Sequence, residues 1–262
     1  MRIACLALAI VLVLLTQPAA AVQLAEENFT PSFPIYANGG SGFSGAWTLG
    51  GFNAGAAGYT ARAKSLCYPR LQTTGGSVSG SAFSSINGTV RNLAQPLGAV
   101  PGTTAYVSFL IQPRGTLNDG IFQGFFGLTV SNGTPFGNEL FIGKPGGGAT
   151  EQWVIEHRGG FGQVTSGVDV RIGKTTLLVV KIQFMVGPEI ITLYVDPAVG
   201  RPEPGSNVVK TDLDLGLVAR IGLYSTGAFT IDEIRIGTTF ADVLPSGDSS
   251  ADEDFPGCLS DH

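Results

Sequence analysis

The sequence is short of the residues that build most catalytic and metal centres. Its 262 residues include only three cysteines, two histidines and two tryptophans. One histidine is the last residue, so His157 is the single imidazole in the body of the chain. No Cys/His cluster has zinc spacing, and no EF-hand loop is present. No Ser or Cys nucleophile motif accompanies His157, which argues against a triad; it reads as a surface or loop residue at a strand end. Gly146-Gly147-Gly148 is followed by neither Lys-Ser/Thr nor a helix, so it is a flexible loop and not a phosphate cradle.

Charge is also scarce, at 13% of residues. Lys/Glu-rich helical faces and long stretches of helical periodicity are missing, which disfavours helical classes. The net charge of −5 is concentrated in the tail from Ser246 to His262, which holds five acids and no Lys or Arg. Val22 to Pro245 has 14 Lys/Arg against 15 Asp/Glu, a balance of −1. Such a body has no electrostatic footprint for nucleic acid. The tail, 246–262, reads as a solvated acidic disordered end, with a linker or weak cation-binding tail as the sharper alternative.

There is one long apolar run. Arg2 precedes Ile3 to Leu15, and Pro18-Ala19-Ala20-Ala21 offers a small-residue cleavage site. Residues 1–21 therefore read as a secretory signal peptide, the run being shorter than the ~20 residues a span requires. The expectation is a secreted, extracellular, periplasmic or cell-surface protein with no membrane span after cleavage. Cys5 leaves with the signal. Cys67 and Cys258 remain as an even pair in an oxidising compartment, and the reading leaves open whether they bridge.

What is abundant is glycine, at 38 residues, with 15 prolines. With so little charge this points to many strands joined by many turns. Predicted strands cover Leu24–Thr30, Leu66–Leu71 (broken by Pro69), Ser77–Phe83, Thr89–Leu93, Thr104–Gln112, Phe122–Val130 and Asn138–Ile142. They continue through Gln152–His157, Val168–Ile172, Thr175–Val186, Ile190–Asp196, Leu217–Tyr224 and Ala228–Gly237. Asn87-Gly88 reads as a turn between Ser77–Phe83 and Thr89–Leu93, which are expected to pair. Gly39 to Gly58 reads as a long loop, with a short strand near Trp47. About a dozen strands at this spacing predict a β-sandwich or barrel, in one domain spanning 22–245. The last strand is expected to close the core, with a bulge where its alternation changes phase at Asp232-Glu233.

That stretch, Gly227-Ala228-Phe229-Thr230-Ile231-Asp232-Glu233-Ile234-Arg235-Ile236, resembles the closing strand of laminin-G-like, concanavalin A-like jelly rolls. Glu27-Asn28-Phe29, Ser44-Gly45-Ala46-Trp47, Gly127-Leu128-Thr129-Val130 and Glu139-Leu140-Phe141-Ile142-Gly143-Lys144-Pro145 fit secreted bacterial domains of this type. So do Thr192-Leu193-Tyr194-Val195 and Ile236-Gly237-Thr238-Thr239-Phe240. The resemblance implies an all-β, concanavalin A-like jelly-roll β-sandwich of two antiparallel sheets. It implies little about activity, because the fold hosts lectins, adhesion domains, hydrolases and lyases.

No cofactor is expected, although jelly rolls of this type often hold a structural calcium where the first and last strands meet, for which Glu26 or Glu27 and Asp232 would be ligands, completed by backbone carbonyls. Two or three carboxylates are a thin ligand set, so the favoured reading is that Asp232 accepts backbone hydrogen bonds at the bulge and Glu233 pairs with Arg235 or another basic residue. Catalysis is not expected. The Glu-x-Asp-x-x-Glu strand of glucanases with this fold is missing; Glu151 and Glu156, five apart, face opposite sides of a strand, and Asp232 and Glu233 diverge. A sugar site would need an aromatic platform, for which Trp47, Tyr59 and Tyr68 are the loop-region candidates, while Trp153 reads as core. The expected function is a secreted, non-catalytic domain binding an extracellular glycan or a surface protein. The alternatives are a structural or adhesion protein without a small ligand, and a carbohydrate-active enzyme.

Overall fold

The computed structural model describes residues 22–30, 39–50, 59–83, 85–133, 138–147, 150–205 and 208–247. Residues 1–21, where a signal peptide is expected, Cys258 and nearly all of the acidic tail lie outside these residues. Cys67 is disulfide-bonded, with its partner also outside them. No helix among the described residues is long and apolar enough to cross a membrane.

Among the described residues fifteen strands follow in chain order: β1 (Gln23–Glu27), β2 (Thr48–Leu49), β3 (Tyr59–Arg62), β4 (Ser77–Gly80), β5 (Asn87–Leu97), β6 (Thr104–Pro113), β7 (Phe126–Ser131) and β8 (Glu139–Lys144). Then come β9 (Gln152–His157), β10 (Phe161–Asp169), β11 (Thr176–Gln183), β12 (Ile190–Val195), β13 (Val209–Lys210), β14 (Val218–Ser225) and β15 (Phe229–Gly237). They form two antiparallel sheets. One runs β13-β12-β11-β6-β15-β4-β3, with β1 also on β15; the other runs β10-β9-β8-β7-β14-β5-β2. This is a jelly-roll β-sandwich.

The last strand is central, as its sequence suggests. β15 pairs with β6 along one side. Its other side is shared: β4 takes Phe229–Ile231 and β1 takes Ile234–Gly237. The bulge lies between these partners, with Glu233 in the left-handed region at φ 51°. A ladder that changes partner strands backbone donors, and a buried donor must be satisfied. The two carboxylates at the bulge do this. Asp232 accepts from the Leu66 N–H (2.8 Å), the Ser65 hydroxyl and the Glu233 N–H, while Glu233 accepts from the Thr74 N–H and pairs with Arg235.

Between the sheets lies one large core. β6 contributes Val107, Phe109 and Ile111; β11 contributes Leu178, Val180 and Ile182; the facing sheet contributes Leu128, Ile142, Trp153, Ile155 and Leu223. Each of these aliphatic side chains stabilises the fold by about 1.5–3 kcal/mol on full burial. A second apolar cluster covers the outer face of the eight-stranded sheet. It unites Tyr106, Leu110, Leu177, Val179 and Tyr194 with Leu66, Leu71, Val199, Phe240 and Leu244 from the overlying segments. Among the described residues the outer face of the seven-stranded sheet carries only a smaller cluster, Phe125, Phe141 and Val154 with Ile86 and Tyr224, and this asymmetry positions the site.

Some expectations are corrected. β4 and β5 lie in opposite sheets, and Asn87-Gly88 begins β5, so the link is a crossover and not a hairpin. Leu66–Leu71 is not a strand; Leu66 fills the second cluster and Leu71 makes one isolated bridge to Ser246. The strand expected from Phe122 begins only at Phe126, because Phe122 and Gln123 both have positive φ and form a tight turn there. The strand expected at Val168–Ile172 begins earlier, at Phe161. The short β3 and β13 carry too few residues for alternation to register.

Candidate functional site: a groove on the open sheet face

The aromatic candidates read from the sequence do not form a platform. Trp47 is 2% exposed, stacks on Phe29 with centroids 6.0 Å apart, and donates its indole N–H to Glu27 (3.0 Å). Tyr59 is buried; its hydroxyl meets Ser225 (2.8 Å) and its ring edge meets Phe229. Tyr68 packs on the second cluster, behind the other sheet. The ends of the sandwich need large apolar fillers, and Trp47 and Tyr59 serve there because buried polar partners satisfy their N–H and O–H.

The proposed calcium ligands are likewise separated. Adjacent on β1, Glu26 and Glu27 point to opposite sides of the strand. Glu27 is buried in an ion pair with Arg91, Glu26 lies 3.3 Å from Arg235, and Asp232 is occupied by the bulge. No three His, Cys, Asp or Glu residues converge as a metal site among the described residues.

The outer face of the seven-stranded sheet brings other residues together. Strand register sets them in rows across β14, β7, β8 and β9. One row runs Arg220, Ser131, Glu139, with Arg158 beside Glu139 just past the end of β9. The next runs Gly222, Thr129, Phe141, Glu156, and the third Tyr224, Gly127, Gly143, Val154. A Cβ on Gly127 would lie 2.2 Å from the Ile142 carbonyl oxygen, and one on Gly143 2.2 Å from that of Phe126. The third row therefore has a bare floor. Beside it stands a three-ring cluster: Phe125 lies 4.7 Å from Tyr224 and 6.2 Å from Phe141.

Two connected hollows result. The larger, about 490 Å³, is walled by Phe122, Phe125, Phe141, Tyr224, Glu156 and Gln163. The smaller, about 190 Å³, is bounded by Thr129, Glu139, Arg158, Arg220 and Tyr224 over Gly50, Gly88 and Val90. Ile86 and Tyr224 belong to both. Phe122, 60% exposed, stands at the rim in a left-handed conformation. Behind it the buried Lys144 donates to the Gln123 carbonyl (2.6 Å), pinning the turn.

The two glutamates are buried and share this face. Burial pushes the Glu139 carboxyl up, against the opposing pull of Arg158, a Thr129 hydrogen bond and Arg220. Its oxygen lies 2.7 Å from Arg158 Nε. Burial pushes Glu156 up too, opposed by its 2.6 Å hydrogen bond from Gln163, by Lys210 and by the Gly160 N–H. The Arg158 guanidinium also sits 5.0 Å from the Tyr224 ring centroid. His157, one residue on from Glu156, is on the opposite face beside Asp212 (3.9 Å).

Alternation along β9 sets Val154 and Glu156 on the face opposite the core residues Trp153 and Ile155. The overlooked signal is that outward positions 141 and 154 are Phe and Val where solvent would favour polar residues. A strand apolar on both faces in a two-layer fold has something resting on its outer side.

No protein-family model matches the chain, and no curated protein matches it. Solved structures do. The globular domain of T. cruzi calreticulin is similar with a TM-score of 0.54 at 12% identity, over 85% of this chain and 90% of that one. An endo-1,3-beta-glucanase from Streptomyces sioyaensis is similar with a TM-score of 0.48 at 12% identity, over 85% and 98%. A beta-1,3-glucanase from Mycobacterium marinum follows at 0.45 and 10%, over 83% and 99%. At such identities the likeness concerns the fold alone, a jelly-roll β-sandwich.

Proposed function

We propose that the chain is a secreted, non-catalytic glycan-binding domain whose site is the groove on the seven-stranded sheet. The observation that carries this is the partly exposed Tyr224 ring and the exposed Phe122 beside Glu156 and Gln163 in an open hollow, with the buried Phe125 and Phe141 packed against Tyr224 as its support. Sugars present apolar C–H faces edged by hydroxyls. Aromatic rings receive the faces, and a few fixed polar groups receive the hydroxyls. The glycine floor leaves room for a ring above the sheet.

Hydrolysis is the second reading, favoured by one feature. Glu139 is two residues from Phe141, the direct cross-strand partner of Glu156, and such diagonal positions lie about 7–8 Å apart. Side chains projecting from such positions on one face can reach the carboxyl spacing that glycoside hydrolysis uses. The ion pair of Glu139 with Arg158 weighs the other way, since it leaves one carboxylate to face the ligand.

Residues 22–262 are to be screened by affinity electrophoresis against a polysaccharide panel, with Tyr224→Ala alongside. The expected result is retardation by at least one polymer, weakened about tenfold or more in the variant, with no reducing ends released. No retardation by any polymer, or retardation unchanged in Tyr224→Ala, overturns the groove. Turnover abolished by Glu156→Gln establishes the hydrolase.

A further inference from the structure

The smaller hollow holds an unbalanced cation. Arg220 and Arg158 both line it, facing a single carboxylate, Glu139. Arg158 is committed to that carboxylate and to the Tyr224 ring. Arg220 gives its Nε to the Ser131 hydroxyl (3.1 Å). Its two terminal nitrogens have no hydrogen-bond partner among the described residues. Arg220 is partly exposed and lines the hollow, so those two nitrogens are open to water or to a ligand's anion. A guanidinium presents its donors as a planar fork that matches a carboxylate. Tyr224 borders both hollows, so a ligand stacked on it has Arg220 within the adjoining hollow and Glu156 in the other.

We propose that the groove selects an acidic glycan, a chain containing uronate residues, whose carboxylate is received by Arg220 while a neighbouring ring rests on the Tyr224 cluster. This rests on the groove being a glycan site and adds the substrate class. The ring supplies stacking on one side, and Glu156 and Gln163 accept and donate to its hydroxyls on the other. Glu139 holds Arg158 alongside, so the smaller hollow keeps a surplus of one positive charge for a single carboxylate.

The test measures binding of polygalacturonate, alginate and hyaluronan, each beside its carboxyl-reduced form, which keeps the linkages and loses the charge. A sulfated galactan and a neutral β-glucan complete the set. Wild type, Arg220→Gln and Arg220→Lys are compared, with melting temperatures to show that each variant is folded. The expected outcome is that at least one polyuronate binds and its reduced form binds about ten- to a hundredfold less tightly. Arg220→Gln should lose that same factor for the polyuronate alone, and Arg220→Lys should recover only part of it. Equal binding of polyuronate and reduced polymer, or preference for the neutral glucan, overturns the acidic selectivity and leaves the groove reading standing. Binding of the sulfated galactan alone overturns the carboxylate assignment. Failure of every polymer overturns both readings.

Discussion

Replacing Arg91 with methionine should be among the most damaging single changes in the protein. Arg91 is 2% exposed. It pairs with Glu27, donates to the carbonyls of Gly45 (2.9 Å) and Gly39 (2.6 Å), and lies 4.2 Å over the Phe43 ring. It thus ties the Gly-rich segment around Trp47 to β1 and β5. Methionine keeps much of the volume and removes every donor. Glu27 would then be a buried carboxylate with only the Trp47 and Phe29 N–H groups for company. Breaking a buried pair from one side costs about 3–5 kcal/mol. In a domain of this size 1 kcal/mol moves the melting temperature by about 2–4 °C, so the variant should melt about 6–20 °C lower. Differential scanning calorimetry with the disulfide intact reads the effect. The double variant Glu27→Gln, Arg91→Met no longer buries a bare charge and should regain a large part of the loss. A single variant within about 1 kcal/mol of wild type, or a double variant no better than the single, would refute the reasoning.

Three more predictions concern pH and the groove. Burial raises Glu233 from its ordinary 4.5 to about 7, with Arg235 and the Thr74 N–H opposing; Asp232, Glu139, Glu156 and Glu189 are raised as well. A raised carboxyl holds its proton more tightly folded than unfolded, so its contribution is full below the unfolded value and is lost as pH climbs through the folded one. The melting temperature should therefore fall between pH 5 and pH 8, and Glu233→Gln should flatten that slope; a rise over this window contradicts the assignment. Gly143→Val has to displace the Phe126 carbonyl and should cost at least about 1–3 kcal/mol in urea denaturation; a neutral result would mean that β7 and β8 are not so close. Lys144→Met releases the turn under Phe122 and should weaken glycan retardation while leaving urea stability within about 2 kcal/mol of wild type. Unchanged retardation would remove Phe122 from the site.

The fold was legible because a period of two survives in long strands. β6, β9, β11 and β12 lie within a few residues of their expected bounds, and the phase change at Asp232-Glu233 is a real bulge, with the carboxylates satisfying backbone donors. Crossovers were not legible, since the turn residues between β4 and β5 look the same whether the next strand pairs or changes sheet. The site was harder still. Trp47 and Tyr59 look like ligand aromatics in a Gly-rich context, yet core filling decides their fate. Glu139 on β8 lies far in sequence from Arg220 and Tyr224 on β14, and only register through β14, β7 and β8 sets them on one face. Compensation between Arg91 and Glu27, 64 residues apart, is invisible without the pairing.

The most direct test of the central claim is a crystal structure of residues 22–262 with an oligosaccharide of the tightest-binding polymer. The expected result is a sugar ring against Tyr224 and Phe122, with hydroxyls on Glu156 and Gln163 and the chain passing toward Arg220. A sugar bound instead near Tyr68 on the back of the eight-stranded sheet, or along the β10 edge with the groove empty, would contradict it.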